Sequence, residues 1–207
     1  MFDIQILTYQ KTAGKEETGF TGLFTAVPPH HAARGREKDQ LVMLLTLEGG
    51  TLPAEIQQEM LEKMAGVYYK TRGTVTNALK IIVEQLNDRL LARNVRLQGK
   101  GSPILGIFNA VALHGSMVYF AHAGPTSAFL LANKAVEQFR DSTGMVRGLG
   151  ISKAVYVRYF RGEVQPGDMV LLSAKPASSW NAKNLAGSPQ LNLDQIRRRL
   201  LIEDPRD

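Results

Sequence analysis

The sequence predicts an α+β domain in which two helices pack on antiparallel β-sheet. Three observations indicate this class: an apolar run of strand length near residue 41, two amphipathic helical patterns between residues 53 and 90, and a series of short apolar segments separated by turn residues after residue 103. Helices and sheets each have an apolar face to bury, so these elements favour layers that share a core. The 207 residues are enough to build such a core, and we expect a single domain over residues 1–207.

The N-terminal part predicts strands followed by a helix. Residues 2–9 alternate between apolar and polar side chains, which is typical of a strand, and a second strand is expected over residues 20–27. The continuous apolar run Leu41–Leu45 indicates a buried strand. From Pro53, apolar residues recur at steps of three and four residues and predict a helix that ends at Arg72-Gly73.

A second helix is expected directly after the first. Thr74 or Thr76 is placed to cap it, and the short break between the two patterns predicts an antiparallel helical pair. The apolar stripe of the first helix consists of Ile56, Met60, Met64, Val67 and Tyr68, and that of the second consists of Leu79, Ile82, Val83, Leu86 and Leu90.

The remainder of the chain is rich in predicted strands. A series typical of an antiparallel meander is expected at 104–113, 117–122, 126–131 and 135–139, with tight turns at 114–116 and 133–134. A further strand pair is expected near 154–161 and 169–173, joined by the turn Gln165-Pro-Gly-Asp168, and a final helix is expected over Leu193–Leu201.

Composition limits the class of protein. The absence of cysteine excludes disulfides, cysteine nucleophiles and thiolate metal sites, and it fits a reducing cytosol, so we expect a cytoplasmic protein. The sequence predicts neither a signal peptide nor a membrane span. The net charge is +6, with basic residues concentrated at 34–38 and 197–199. Because no aromatic residues are interleaved with them, a solvated basic face is favoured over a specific nucleic-acid site.

Three segments together resemble the active-site strands of a known family of phosphatases. They are Leu41-Val-Met-Leu-Leu-Thr-Leu-Glu-Gly-Gly50, Val118-Tyr-Phe-Ala-His-Ala-Gly-Pro-Thr-Ser127 and Gly167-Asp-Met-Val-Leu-Leu-Ser-Ala-Lys175. In this order and spacing they resemble the metal-dependent protein phosphatases (PPM, or protein phosphatase 2C), whose segments end in Asp-Gly-x-Gly-Gly, Gly-Asp-Ser and Ser-Asp-Gly. The resemblance extends from about residue 20 to 180. It implies a four-layer α-β-β-α sandwich of two antiparallel sheets, with the active site at one edge of the paired sheets.

The metal-binding aspartates of that family are not found at the matching positions. They fall on Thr46, Pro125 and Ala174, while Leu47 and Lys175 stand at glycine positions of the motifs. The final Asp-Asn strand of the family is also missing from the sequence. Two divalent ions at 4 Å repel by roughly 17 kcal/mol at an effective dielectric constant near 20, and carboxylates must offset this repulsion. One carboxylate, that of Glu48, cannot do so, and the resemblance therefore implies a site without metal.

We refer to the residues at these positions as the predicted vestigial site. Its members are Thr46, Leu47, Glu48, Gly49, His122, Pro125, Thr126, Ser173, Ala174 and Lys175. A cation at Lys175, with hydroxyls at Ser173 and Thr126, can attract a phosphate or a carboxylate, although a lysine that simply points to solvent is the simpler interpretation. For His122, packing is favoured over a chemical role. The pair His30-His31 is interpreted as a surface pair, and His114 is placed in a turn.

The sequence contains neither a Gly-x-Ser-x-Gly elbow nor a phosphate-binding glycine loop. We therefore expect a pseudophosphatase: a catalytically inactive domain of bacterial type that binds a protein partner or a phosphorylated ligand in signalling, without a cofactor. The alternative is a divergent active serine/threonine phosphatase that binds Mn²⁺ or Mg²⁺ through Glu48 together with Asp39, Asp141 or Asp168. A third possibility, a regulatory or targeting module cut from a longer protein, also stays open, and so does the question whether such a protein continues into a linker or a membrane anchor.

Overall fold

The fold is a sandwich of two stacked antiparallel sheets. The computed structural model describes residues 3–12, 15–16, 20–97, 101–133, 135–143 and 147–202. In chain order the strands are β1 (Lys11–Thr12), β2 (Lys15–Glu16), β3 (Leu23–Ala26), β4 (Gln40–Glu48), β5 (Leu105–His114), β6 (Met117–Ala123), β7 (Ser127–Leu131), β8 (Val136–Arg140), β9 (Arg158–Glu163) and β10 (Met169–Ser173). The helices are α1 (Ala54–Lys70), α2 (Val75–Arg96), α3 (Ala182–Leu185) and α4 (Leu193–Ile202), with a 3-10 turn at Ser188–Gln190.

The larger sheet has five strands in the order β3-β4-β5-β6-β9, and the smaller has three in the order β10-β7-β8. All neighbouring strands are antiparallel. Among the described residues, the two short strands β1 and β2 pair with each other and with no other strand. None of the described helices has the length and apolar character needed to cross a membrane.

The first core lies between the helical pair and the five-stranded sheet. In β4, Leu41, Met43 and Leu45 are fully buried and face the helices, because alternate residues of a strand point to the same side. The predicted stripe of α2 is buried in full in this core. In the predicted stripe of α1, Met64 and Tyr68 are buried, Met60 and Val67 are half-buried, and Ile56 is 44% exposed.

Two further apolar clusters lie on either side of the three-stranded sheet. Strand β7 is buried throughout and has two apolar faces. Its residues Ala128 and Leu130 pack between the two sheets, whereas Phe129 and Leu131 pack against the last part of the chain around Trp180. Three apolar clusters separate four layers of structure. The order of these layers, helix, sheet, sheet and helix, confirms the four-layer α-β-β-α sandwich.

Two side-chain hydrogen bonds position the helical pair, one to the sheet and one at the start of α2. The buried side chain of Gln57 donates from Nε2 to the carbonyl of Leu45 at 2.7 Å, which connects α1 to β4. At the start of α2, the hydroxyl of Thr74 accepts a hydrogen bond from the backbone N–H of Asn77 at 3.1 Å. Thr74, rather than Thr76, is therefore the N-cap.

The prediction of a strand over residues 2–9 is wrong for the described residues. Residues 3–10 contain no strand. Ile4 and Ile6 are 40% and 45% exposed, and Tyr9 lies against Trp180 with ring centroids 6.4 Å apart. Alternating apolar and polar residues show which side chains share a face. An extended segment without a partner strand can have the same pattern, so the pattern alone does not establish a strand.

The prediction that residues near 154–161 pair with 169–173 is also wrong. Strand β9 pairs with β6 in the larger sheet, and β10 pairs with β7 in the smaller one. For the same reason the expected single meander is divided, because the chain passes from one sheet to the other between β6 and β7. Strand periodicity identifies each strand but does not identify its partner.

The N-cap of α2 gives a testable prediction with a matched control. We expect Thr74→Ala to lower the free energy of unfolding by about 1 kcal/mol, because the N–H of Asn77 loses its acceptor. Thr76→Ala, inside the first turn of the same helix, should change it by no more than a few tenths of a kcal/mol. Urea denaturation measures both, and an equal loss in the two variants would contradict the assignment of the cap.

Candidate functional site

The predicted vestigial site lies where the two sheets meet at one end. Strand β4 ends at Glu48, and β10 ends at Ser173, which is the register partner of Ser127 at the start of β7. The turn from β6 to β7 contains Pro125 and lies at the same end of the molecule. The structure therefore places the C-terminal ends of β4, β6 and β10 at one edge of the sandwich.

An ion pair connects the two sheets at this edge. The ammonium group of Lys175 contacts Oε1 of Glu48. The side chain of Lys175 is 62% exposed and that of Glu48 is 33% exposed, so water screens the pair and its contribution to stability is no more than about 1 kcal/mol. Two roles for Lys175 are expected from the sequence: a ligand for an anion, or a side chain that points to solvent. Instead, it neutralises the one carboxylate of the predicted vestigial site.

A buried polar cluster lies behind the ion pair, between the sheets. Asn109 and His122 are direct register partners on β5 and β6, and both are fully buried. Nδ2 of Asn109 donates to the carbonyl of Ser127 at 3.1 Å, which joins the larger sheet to the smaller. The atoms Asn109 Oδ1, Thr126 Oγ1 and both ring nitrogens of His122 are buried without a hydrogen-bond partner among the described residues.

His122 lies in an apolar environment. Its ring centroid is 5.1 Å from that of Phe160 and 6.1 Å from that of Phe120. Burial disfavours the charged imidazolium and lowers the pKa of His122 to about 4. At neutral pH the ring is therefore uncharged, and it offers one N–H donor and one nitrogen acceptor to the space between the sheets.

The other members of the site differ in their orientation. Leu47 packs on the helical side of the larger sheet, whereas Glu48 reaches Lys175 on the other side. Gly49 has φ +76°, and a Cβ there would lie 2.6 Å from the carbonyl oxygen of Pro103, so a side chain is excluded. Thr126 and Ser173 are buried. Thr46 and Ala174 are half-buried, and Pro125 is exposed.

Asn109 is not among the site residues predicted from the sequence. Its signal is an amide within the otherwise apolar strand Leu105–Leu113, a position where a polar residue is expected to have a specific partner.

The residues at this edge do not fit a pair of divalent ions. Asp141 accepts from Nε of Arg158 at 3.1 Å, and Asp168 accepts from the backbone N–H of Gln165 at 2.8 Å in the predicted turn. Asp39 precedes the opposite end of β4. Within the described ranges, no three side chains of the His, Cys, Asp or Glu type converge as metal ligands. Of the carboxylates named in the alternative, Glu48, Asp141 and Asp168 thus have other partners, and Asp39 lies away from this edge.

Comparison with solved structures identifies the fold. A bacterial serine phosphatase bearing an R161E mutation has a TM-score of 0.62 and 16% identity, covering 91% of this chain and 96% of that chain. PppA of Pseudomonas aeruginosa has a TM-score of 0.59 and 16% identity over 81% and 82%. The catalytic domain of the serine/threonine phosphatase PstP, in complex with two manganese ions, has a TM-score of 0.58 and 17% identity over 87% and 89%. No protein-family model and no curated protein matches the chain.

The buried imidazole predicts a specific acid sensitivity. Its pKa is lower in the folded than in the unfolded chain, so its contribution to stability is complete above about pH 6.5 and is lost as the pH falls towards 4. Between pH 7 and pH 4.5, we expect the free energy of unfolding to fall by about 2 kcal/mol more in the wild type than in His122→Leu, which has no imidazole at this position. Urea denaturation at several pH values measures this difference.

The exposed residue His31 provides the control for that measurement, because His31→Gln should keep the pH dependence of the wild type. Parallel pH profiles for wild type and His122→Leu would show that the ring at position 122 titrates normally.

Proposed function

We propose that this chain, which has the fold of the PPM-type serine/threonine phosphatases, is a catalytically inactive member of that fold that acts as a binding module. The partner is a protein or a phosphorylated ligand, and binding takes place at the predicted vestigial site. The proposal includes one domain over residues 1–207 and a role in cytoplasmic signalling without a cofactor.

The ion pair between Glu48 and Lys175 carries this proposal. A site for two divalent ions needs several unpaired carboxylates, because the ions repel each other strongly. At this edge, the one carboxylate at the matching positions already has a cationic partner within the protein. A pair of metal ions would have to displace Lys175 and would then meet Thr46 and Ala174, which supply no negative charge.

Two observations support binding. The fold keeps the edge at which the sheets meet, and behind it lie buried hydrogen-bonding atoms of Asn109, His122 and Thr126 that have no partner in the described part of the chain. A phosphate group at the surface of this edge would compete with Glu48 for the ammonium of Lys175. A regulatory role is in keeping with the description of the structurally similar PppA as a key regulatory component of the T6SS in Pseudomonas aeruginosa.

Metal binding tests the inactive state. We expect no change in the melting temperature of the wild type with millimolar Mn²⁺ or Mg²⁺, and no hydrolysis of an aryl phosphate. A ligand at 100 times its dissociation constant stabilises the native state by about 2.7 kcal/mol, so a real site would be visible. A saturable shift together with metal-dependent hydrolysis would favour the divergent active phosphatase.

A charge-restored variant makes the same measurement sharper. Thr46→Asp combined with Ala174→Asp and Lys175→Gly supplies two carboxylates and removes the cation, so this variant should show the melting shift that the wild type does not. Its control is the single change Lys175→Gly, which frees Glu48 but adds no ligand.

Phosphoserine tests the binding site. In an NMR titration we expect the amide signals near Ser173–Lys175 to move, with an affinity that falls as salt is added. Lys175→Met should abolish these shifts, because Glu48 then repels the phosphate. Lys153→Met, at an exposed position, should leave them unchanged. Identical titrations of both variants would rule out Lys175 as the phosphate contact.

A further inference from the structure

A second polar arrangement lies at the opposite end of the larger sheet. Strand β4 begins at Gln40, whose register partner is Leu113, and Glu48 at its other end pairs with Leu105. With about 3.4 Å per residue, the two ends of this strand are about 27 Å apart. Asp39 and His114 adjoin the Gln40 end, so this second arrangement is separate from the predicted vestigial site.

A fully buried carboxylate holds an exposed histidine at this end. Nδ1 of His114 lies 2.6 Å from Oδ1 of Asp39, and the His114 side chain is 47% exposed. The second oxygen, Oδ2, accepts from the hydroxyl of Tyr68 at 2.7 Å and from Nη1 of Arg36 at 3.4 Å. A carboxylate surrounded by donors acts as an acceptor, so Nδ1 of His114 carries the proton. The lone pair of the neutral ring is then on Nε2.

The groups that hold Asp39 are themselves fixed. Arg36 is 1% exposed, its Nη2 donates to the carbonyl of Gly73 at 2.8 Å, and its guanidinium lies 5.2 Å from the ring centroid of Tyr68. Tyr69 donates to the backbone carbonyls of Asp39 and Ala26 at 3.1 and 2.7 Å. Burial raises the pKa of Tyr68, which keeps its hydroxyl protonated and donating. The orientation of the imidazole is therefore set by buried groups.

A cavity of about 450 Å³ lies beside this pair. Its lining includes Gly35, Glu37, Lys38, Gln40 and Leu113 together with His114. Lys38 provides a cation. The carboxylate of Glu37 accepts from the backbone N–H of Gly35 at 2.7 Å, and hydrogen bonds from the backbone N–H groups of Glu37 itself and of Gly35 lower its pKa. The volume is in the range of small-ligand sites.

We propose that His114 is a phosphoryl-acceptor histidine whose Nε2 takes a phosphoryl group from an activated phosphodonor. The lone pair of Nε2 attacks phosphorus, a P–N bond forms, and the bond from phosphorus to the leaving group breaks with its electron pair. The resulting positive charge on the ring is stabilised through the Nδ1–H bond to Asp39. Lys38, which lines the same cavity as His114, supplies a cation that can offset the charge of the phosphoryl group.

A metal site is the less favoured interpretation of the same pair. A histidine whose second nitrogen is held by a carboxylate is also a common metal ligand. Within the described part of the chain, however, no third ligand of the His, Cys, Asp or Glu type joins these residues.

Phosphoramidate provides the test. In this reagent the P–N bond breaks and ammonia leaves, so a histidine can be phosphorylated without an enzyme. Purified protein is incubated with phosphoramidate, and acid-labile adducts are assigned to single histidines by mass spectrometry. We expect His114 to be labelled at least about ten times faster than the exposed residues His30 and His31 of the same molecule. Buried His122 should stay unmodified.

Two comparisons show whether the fold causes this selectivity. Protein unfolded in urea should label its histidines at similar rates, and Asp39→Asn should lower the rate at His114 towards that of His30. His31→Gln should leave the rate at His114 unchanged. Equal rates for His114 and the surface histidines in native wild-type protein would overturn the proposal, whether or not Asp39→Asn folds. The deciding comparison, between His114 and the surface histidines His30 and His31, involves no group of the predicted vestigial site, so its failure is distinguishable from failure of the proposed binding function.

Discussion

The contact between the two sheets is the interaction on which the rest of the structure depends. Strand β7 supplies it, because its alternate residues face the larger sheet on one side and the last helices on the other. A strand that is apolar on both faces can exist only inside a layered structure. Its burial fixes the smaller sheet, and with it the positions of Thr126 and Ser173 relative to β4. The geometry of the predicted vestigial site is therefore a consequence of packing.

The two polar arrangements of the larger sheet differ in how they are stabilised. At the Glu48 end, an ion pair that water can screen lies over buried polar atoms for which the described residues provide no hydrogen-bond partner. At the Asp39 end, every oxygen of a buried carboxylate has a donor. The donors hold the Asp39 carboxylate in one orientation, although Nε of Arg36 beside it is buried without a partner among the described residues. At the Glu48 end, acceptors and donors that the described residues leave unsatisfied give capacity for a ligand or for water. This contrast is the physical reason for assigning ligand binding to one end and an oriented nucleophile to the other.

The helices and most strands could be predicted because their periodicity is local. The stripe of α2, from Leu79 to Leu90, is an example. Pairing could not be predicted in the same way: β9 and β10 are adjacent in the chain and lie in different sheets. The same holds for the sites. The proximity of Glu48 and Lys175 followed from the family resemblance, but their ion pair did not. The contact of Asp39 with His114 spans 75 residues and has no sequence signal.

Strand β8 forms an outer edge of the smaller sheet, since its described neighbour is β7 alone. Its unpaired backbone groups could accept a strand from a second molecule. Exposed Glu137, Gln138 and Arg140 lie along this edge, while Val136 and Phe139 turn inward. Charges of both signs at an edge oppose the addition of a flat, apolar strand from another chain. Strand β8 thus contributes one apolar side chain to the cluster on each side of its sheet and presents a polar edge that opposes self-association through this strand.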